Sequence, residues 1–347
     1  MRIKVVLIII LMSYVAEGDA GAGGALEGKV VGGSNSSITE FPHAVFLRIQ
    51  CHTLYSLIFG IPFSNACGGS VLNQRIVLTA AHCFEECRPP PRVVAYTGSA
   101  VPREEEATMA AASVVHPLYD PHSVSNDIAL VALNRDLRLR ESVARVSISP
   151  TPPQYTQLAT VSGWGLIDVR HIVKLYYRLT YIMEEINNIG TDRLQHLKYM
   201  RLMSRRECAR KLRKALPPRT LCAGDLNQNQ YVSIGDSGGA LMVGAAQIGV
   251  VSHKLAASRS LVIYTDVSSF FTWIQDSANA MHCLEKERED EERKESMIKA
   301  KMERKAREQR QIREELKKIQ KEIKRRERST KKKNSQKRIK KTKIYGI

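Results

Sequence analysis

Between Val30 and Cys283 apolar residues come in short runs, many of them β-branched, with polar and turn-forming residues between them. "HAVFLRI", "RIVLTA", "DIALVAL", "ATVSGWG", "QIGVVSH" and "LVIYTDV" each have the length and composition of a strand. Turn signals at intervals between them predict an all-β barrel or sandwich. The pattern changes at the end of this stretch. In "SSFFTWIQDSANAMH", Phe270, Trp273, Ile274 and Ala278 fall at helical spacing after a serine cap, which predicts a helix.

From Leu284 to about Arg328 the residues are helix-forming and charged, with no Gly or Pro, and predict a long solvated helix. Ile312, Leu316, Ile319 and Ile323 follow a 4-3-4 spacing, a short coiled-coil patch whose seam fails at Lys305 and Gln309. The following "STKKKNSQKRIKKTK" reads as a disordered basic end. This tail, 284–347, holds 26 Lys and Arg against 13 Asp and Glu, so it carries +13 of the chain's formal +18. Such a tail can attract polyanions or an anionic surface, although a solvated polyelectrolyte is the plainer reading.

The N-terminus opens with a basic residue, an apolar run from Val5 to Met12 and small residues around Ala16, Gly18 and Ala20. Residues 1–18 read as a secretory signal peptide, too short to span a bilayer comfortably. Residues 19–29 are a Gly-rich strip ending at Lys29. A secreted, extracellular chain makes its seven cysteines disulfide partners, with an odd one left over. Their spacings match no zinc site, and Glu104, Glu105 and Glu106 are consecutive rather than spaced as calcium ligands, so neither metal nor cofactor is expected.

Three separated stretches carry chemistry when taken together: "LTAAHC" with His82, "NDIAL" with Asp127 and "GDSGG" with Ser237. A serine hydroxyl is a poor nucleophile unless a base removes its proton, and an imidazole suits that task near neutral pH. A buried carboxylate can fix the imidazole's tautomer. Glycine at 235 lets the N–H groups of Gly235 and Ser237 point to one spot, where an oxyanion could sit. Singly, each residue has a bland alternative: a core histidine, a strand-end aspartate, a turn serine. Together and in this order they are hard to obtain by accident.

With these motifs go "KVVGG", "ACGGSVLNQRIVLTAAHC", "SGWG" and "GVVSH". On them the stretch 30–283 resembles a trypsin/chymotrypsin-type serine protease. The resemblance implies two six-stranded antiparallel β-barrels with a C-terminal helix and a cleft between the barrels. By the same resemblance His82 is the general base, Asp127 its orienting carboxylate, Ser237 the nucleophile, and Gly235 and Ser237 the oxyanion donors. Ser252 matches the serine that supports the aspartate. Lys29–Val30 matches the zymogen cleavage site, cut by an activating trypsin-like protease, after which the Val30 ammonium pairs with Asp236. Cys67–Cys83 and Cys208–Cys222 match family bridges, Cys51 and Cys87 pair near the cleft, and Cys283 remains.

The sequence also departs from the family. Tyr231 stands where trypsin-like members carry the aspartate that binds Lys or Arg. Ser233 replaces a usual cysteine, His253 a usual tryptophan, and Lys254 and Val262 take positions commonly held by glycine. These changes predict a pocket for a small residue, or for an acidic one through Lys254. About twenty extra residues follow "SGWG", as a specificity loop or as a mistranslated intron. The leading expectation is a secreted, activatable serine endopeptidase with peptide or protein substrates. The alternatives are a non-catalytic protease homologue acting as a binding or regulatory module, and a nucleic-acid or membrane-surface binder working through the tail.

Overall fold

In the computed structural model, residues 33–52, 63–85, 87–165, 193–224, 232, 235–254 and 260–344 are described. Lys29, Val30, Tyr231, Ser233, the leader and most of the insertion lie outside these residues.

The first apolar runs close into a barrel. Strands β2 (Ala44–His52), β3 (Phe63–Val71), β4 (Ile76–Thr79), β5 (Arg88–Tyr96), β6 (Ala107–Val115) and β7 (Ala129–Leu133) are joined in the order β2-β3-β4-β7-β6-β5. Along β2, Val45, Leu47, Ile49 and Cys51 are buried while Phe46, Arg48 and Gln50 are half-buried, the period of two that a pleated strand imposes. Both β4 and β7 are buried at every residue. A minor strand β1 (Ser34–Asn35) precedes this barrel, and β8 (Ser147–Ile148) follows it.

Strands β9 (Leu158–Gly163), β10 (Gln195–Met203), β11 (Thr220–Gly224), β12 (Ala240–Val243), β13 (Ala246–Lys254) and β14 (Leu261–Asp266) run β10-β11-β14-β13-β12-β9. Pairing of β9 with β10 closes the second antiparallel barrel. Its interior is one apolar cluster that includes Val161, Leu197, Leu241, Val251 and Tyr264. Buried hydrogen bonds join the barrels: Ser70 donates to Gln247 Oε1 at 2.7 Å, and Thr265 donates to the Asp127 carbonyl at 2.7 Å.

A short helix α1 (Arg205–Leu212) is capped by Ser204, whose hydroxyl accepts from the Glu207 N–H at 3.2 Å. The final helix α2 (Phe271–Ile344) follows a 3-10 turn, Val267–Phe270. The sequence places a serine cap here, but Asp266 performs it, accepting from the Ser268 N–H at 3.1 Å. His116 stacks against Phe270 and Trp273, with ring centroids at 5.3 and 4.9 Å.

Helix α2 also corrects the reading of the tail. The stretch from Ser329 reads as disordered, whereas the helix continues to Ile344. No Gly or Pro interrupts it. The chain divides into two compact units, one ending at Asn279 and one starting at Ala280. No described helix is long and apolar enough to cross a membrane.

Candidate active site

His82 sits in a 3-10 turn, Ala81–Phe84, directly after β4. The next residue, Cys83, is bonded to Cys67 on β3, with Cα atoms 6.4 Å apart, which ties the turn to the barrel wall. Asp127 precedes β7, the neighbour of β4, so strand pairing brings the two side chains together. Asn126 enters with φ 54°, a left-handed conformation that asparagine tolerates well.

The Asp127 carboxylate is fully buried and surrounded by donors. Oδ1 accepts from the His82 backbone N–H at 2.9 Å. Oδ2 accepts from His82 Nδ1 at 2.8 Å and from the Ser252 hydroxyl at 2.5 Å. Burial alone would raise this carboxyl, but the His82 charge and these hydrogen bonds outweigh it and hold it below the usual range. For His82 burial pushes downward, yet the Asp127 charge and hydrogen bond, with a smaller contribution from Glu85, raise the imidazole above its ordinary value. This arrangement fixes Nδ1 as the donor to Asp127 and leaves Nε2 as the nitrogen able to take a proton.

Ser237 comes from the second barrel, on the turn before β12. Its carbonyl accepts from the Gly68 N–H at 2.6 Å, which seats the turn against β3. Ser237 Oγ makes no hydrogen bond to His82 among the described residues. The N–H groups of Gly235 and Ser237 likewise donate to no partner among the described residues. Gly235 has φ 99° and Gly238 φ 83°, and a side chain at 238 would meet Thr79 and the Gly68 carbonyl.

The carboxylate of Asp236, the residue before Ser237, is buried at the end of β9. Its Oδ1 accepts from the Gly165 N–H at 2.7 Å, and a Cβ on either Gly163 or Gly165 would fall on the carboxylate. The two glycines of "SGWG" therefore form the notch in which it lies. Burial, with a contribution from the Asp236 charge, pushes the phenol of nearby Tyr264 up.

Ser252 and Lys254 lie on β13, and Lys254 is paired in register with Val262 on β14. Lys254 is exposed. Val262 is fully buried in the second barrel's cluster, together with Val232. The sequence did not reveal the place of His253. Its Nδ1 lies 3.1 Å from Ser252 Oγ, which extends the chain of polar contacts from His82 through Asp127 and Ser252. Burial first, and then the charges of His82 and Lys214, lower His253 against the opposing pull of Asp127.

Cys208 is bonded to Cys222 and Cys51 to Cys87, while Cys283 is a free, exposed thiol on α2. Cys51 lies within β2. One described cluster, Cys67, His82 and Cys83, has ligand atoms close enough for a metal, but both sulfurs are consumed by the disulfide.

Two closed barrels with a histidine held by a buried aspartate in the first and a serine on a turn of the second are the arrangement on which the serine-nucleophile hydrolases are built. Residues 30–274 match the Trypsin family, and the chain belongs to that family of serine endopeptidases. It is similar to cathepsin G of Homo sapiens, 28% identical, covering 76% of this chain and 92% of the relative. It is also similar to trypsin epsilon of Drosophila erecta, 30% identical, covering 73% and 89%. Its fold is like that of a scabies mite inactivated protease paralogue, S-D1, at a TM-score of 0.58 and 20% identity, covering 72% and 97%.

Proposed function

We propose that this chain is a secreted zymogen, cleaved after Lys29 by a trypsin-like enzyme, whose product hydrolyses peptide bonds on the carboxyl side of a small or acidic residue. The boundaries that go with this reading are a signal peptide 1–18, a propeptide 19–29, a protease domain 30–283 and a basic tail 284–347 able to engage polyanions.

In this mechanism His82 Nε2 takes the proton of Ser237 Oγ as the oxygen attacks the scissile carbonyl. Asp127 holds the imidazole in the correct tautomer and stabilises the imidazolium that forms. The N–H groups of Gly235 and Ser237 receive the oxyanion. The imidazolium then gives its proton to the leaving amine, and water repeats the sequence on the acyl-enzyme. In the uncut chain Asp236 lacks the new Val30 ammonium, and the proposed pairing acts as the switch.

The observation that carries this reading is Asp127. A fully buried carboxylate with three donors, two of them from one histidine, is costly to build and has a use in orienting that histidine. The specificity part is supported by the bulk of Val262, which is fully buried and packed in one cluster with Val232 at a position commonly held by glycine in the family. With Tyr231 in place of an aspartate, a bound Lys or Arg would have no carboxylate partner there.

A fluorophosphonate probe tests the chemistry. Lys29-cleaved protein is expected to label at Ser237, whereas Ser237→Ala and the uncut Lys29→Gln chain are not. An unlabelled cleaved protein of native fold would favour the non-catalytic homologue. A substrate library then tests the pocket, and dominant cleavage after Arg or Lys would remove the small-or-acidic assignment.

A further inference from the structure

The tail's charge is arranged on α2, not merely accumulated. At 100° per residue, ten of the twelve Lys and Arg between 310 and 333 fall within an arc of about 140°. Arg310, Lys317, Lys321, Lys324, Arg328 and Lys332 form its centre line. One carboxylate, Glu314, interrupts the arc. The rest of the circumference is different in kind. It holds Glu315, Glu322 and Glu327, the exposed apolar residues Ile312, Leu316, Ile319 and Ile323, and only two cations, Arg326 and Lys333. Of these two, Arg326 is engaged by Glu322 at 2.9 Å. The basic arc is solvent-exposed throughout and extends about 33 Å at 1.5 Å per residue.

We infer that this ladder binds an unbranched sulfated polysaccharide lying along one side of the helix. The inference deepens the polyanion part of the proposed function and is independent of the protease chemistry. A linear polyanion presents sulfates and carboxylates at regular intervals along its length, and a single straight row of cations matches one such chain. Arginine can take a sulfate through two N–H groups and lysine as a point charge. A helix seated in a nucleic-acid groove has phosphates on both of its flanks. Here one flank carries Glu315 and Glu322 beside Arg326 and Lys333, so it is neutral overall and offers a second row of phosphates no net attraction. The three disulfides also suit an oxidising compartment, where cell-surface polysaccharides are the abundant linear polyanions.

The test compares two double substitutions in the full chain that change net charge equally. One removes the ladder's centre (Lys321→Glu with Arg328→Glu), and the other removes the two cations off it (Arg326→Glu with Lys333→Glu). Both proteins are checked for helicity by circular dichroism and eluted from immobilised heparin with NaCl. The ladder pair is expected to elute at clearly lower salt, and its plot of log affinity against log salt to lose about two units of slope. The off-ladder pair should elute close to the parent. Equal losses in both pairs would overturn the ladder while leaving a net-charge attraction. Failure of the parent chain to be retained would remove polyanion binding altogether. Tighter retention on duplex DNA than on heparin of equal charge would assign the surface to nucleic acid instead.

Discussion

Two regions of the first barrel each draw a histidine out of water, fully at His43 and partly at His82, with opposite results. Around His82, burial is opposed by Asp127, and the imidazole is held above its ordinary value. At His43, just before β2, burial acts alone and pulls the group down to about 4. Its Nε2 is buried without a hydrogen-bond partner, and its ring meets Phe41 edge-on at 6.3 Å. The residue type and the barrel are shared, so neither decides the outcome. One carboxylate in the right place converts a burden on stability into a base held above its ordinary value.

The largest effect should come from making the first region resemble the second. Asp127→Asn keeps the volume but removes the charge and permits the wrong tautomer. It is expected to lower kcat about ten-thousand-fold. With its Coulombic support gone, His82 should also titrate lower, so any residual activity should persist to more acidic pH than in the parent. Activation-matched pH–rate profiles measure both. A residual acid limb that stays in place would mean that Asp127 does not set the His82 titration.

At His43 the prediction concerns stability. The native state refuses a proton until about pH 4, while the unfolded chain accepts it near 6.5. Stability contributed by the neutral form is therefore complete above 6.5 and is lost as pH falls towards 4, by about 3 kcal/mol. His43→Phe should remove this part of the acid sensitivity. Denaturant melts at pH 7.5 and pH 4 compare the two proteins. An equal acid-induced loss in parent and variant would show that His43 carries no part of it.

Little of this contrast is legible in the sequence. The motifs around His82, Asp127 and Ser237 can be read because each packs several chemically constrained residues into a few positions. A lone histidine in "HAVFLRI" has no such context, and its burial depends on strands far along the chain. The strands themselves divide the same way. Runs such as "DIALVAL" declare β7, but β3 reads "FSNACGGSV" and β5 "RPPPRVVAY". Glycines and prolines hide those strands, because Gly68 and Gly69 are there to let Gly239 and Val77 approach. His253 can be seen as a substitution for tryptophan, whereas its contact with Ser252 depends on the bulge in β13. The end of α2 is misread because charge density in "KKKNSQKRIKKTK" suggests disorder, while its residue types still favour helix.

A smaller effect is expected at Ser252. Its hydroxyl is the only side chain besides His82 that donates to the Asp127 carboxylate among the described residues. Ser252→Ala leaves the carboxylate with the two His82 donors. A hydrogen bond to a charged group is worth about 1.5–3 kcal/mol, so kcat/KM should fall by roughly tenfold to a hundredfold. A loss as large as that of Asp127→Asn would mean that the hydroxyl positions the aspartate itself.

The smallest effect should be at His253, which stands between the two extremes. It has a hydrogen-bond partner, as His82 does, but the partner is a neutral hydroxyl, and the net shift is downward as at His43. His82 therefore takes its proton first as pH falls, and the resulting cation makes protonation of His253 harder still. Replacing His253 by Gln removes a site that stays neutral across the acid limb of activity. Only a contact worth about 1 kcal/mol is at risk, so kcat/KM should change by less than about tenfold and the limb should keep its position. The pH–rate profile of His253→Gln is the check: a limb displaced by a full pH unit would show that the two imidazoles titrate together, and that His253 belongs with the His82 network rather than at its edge.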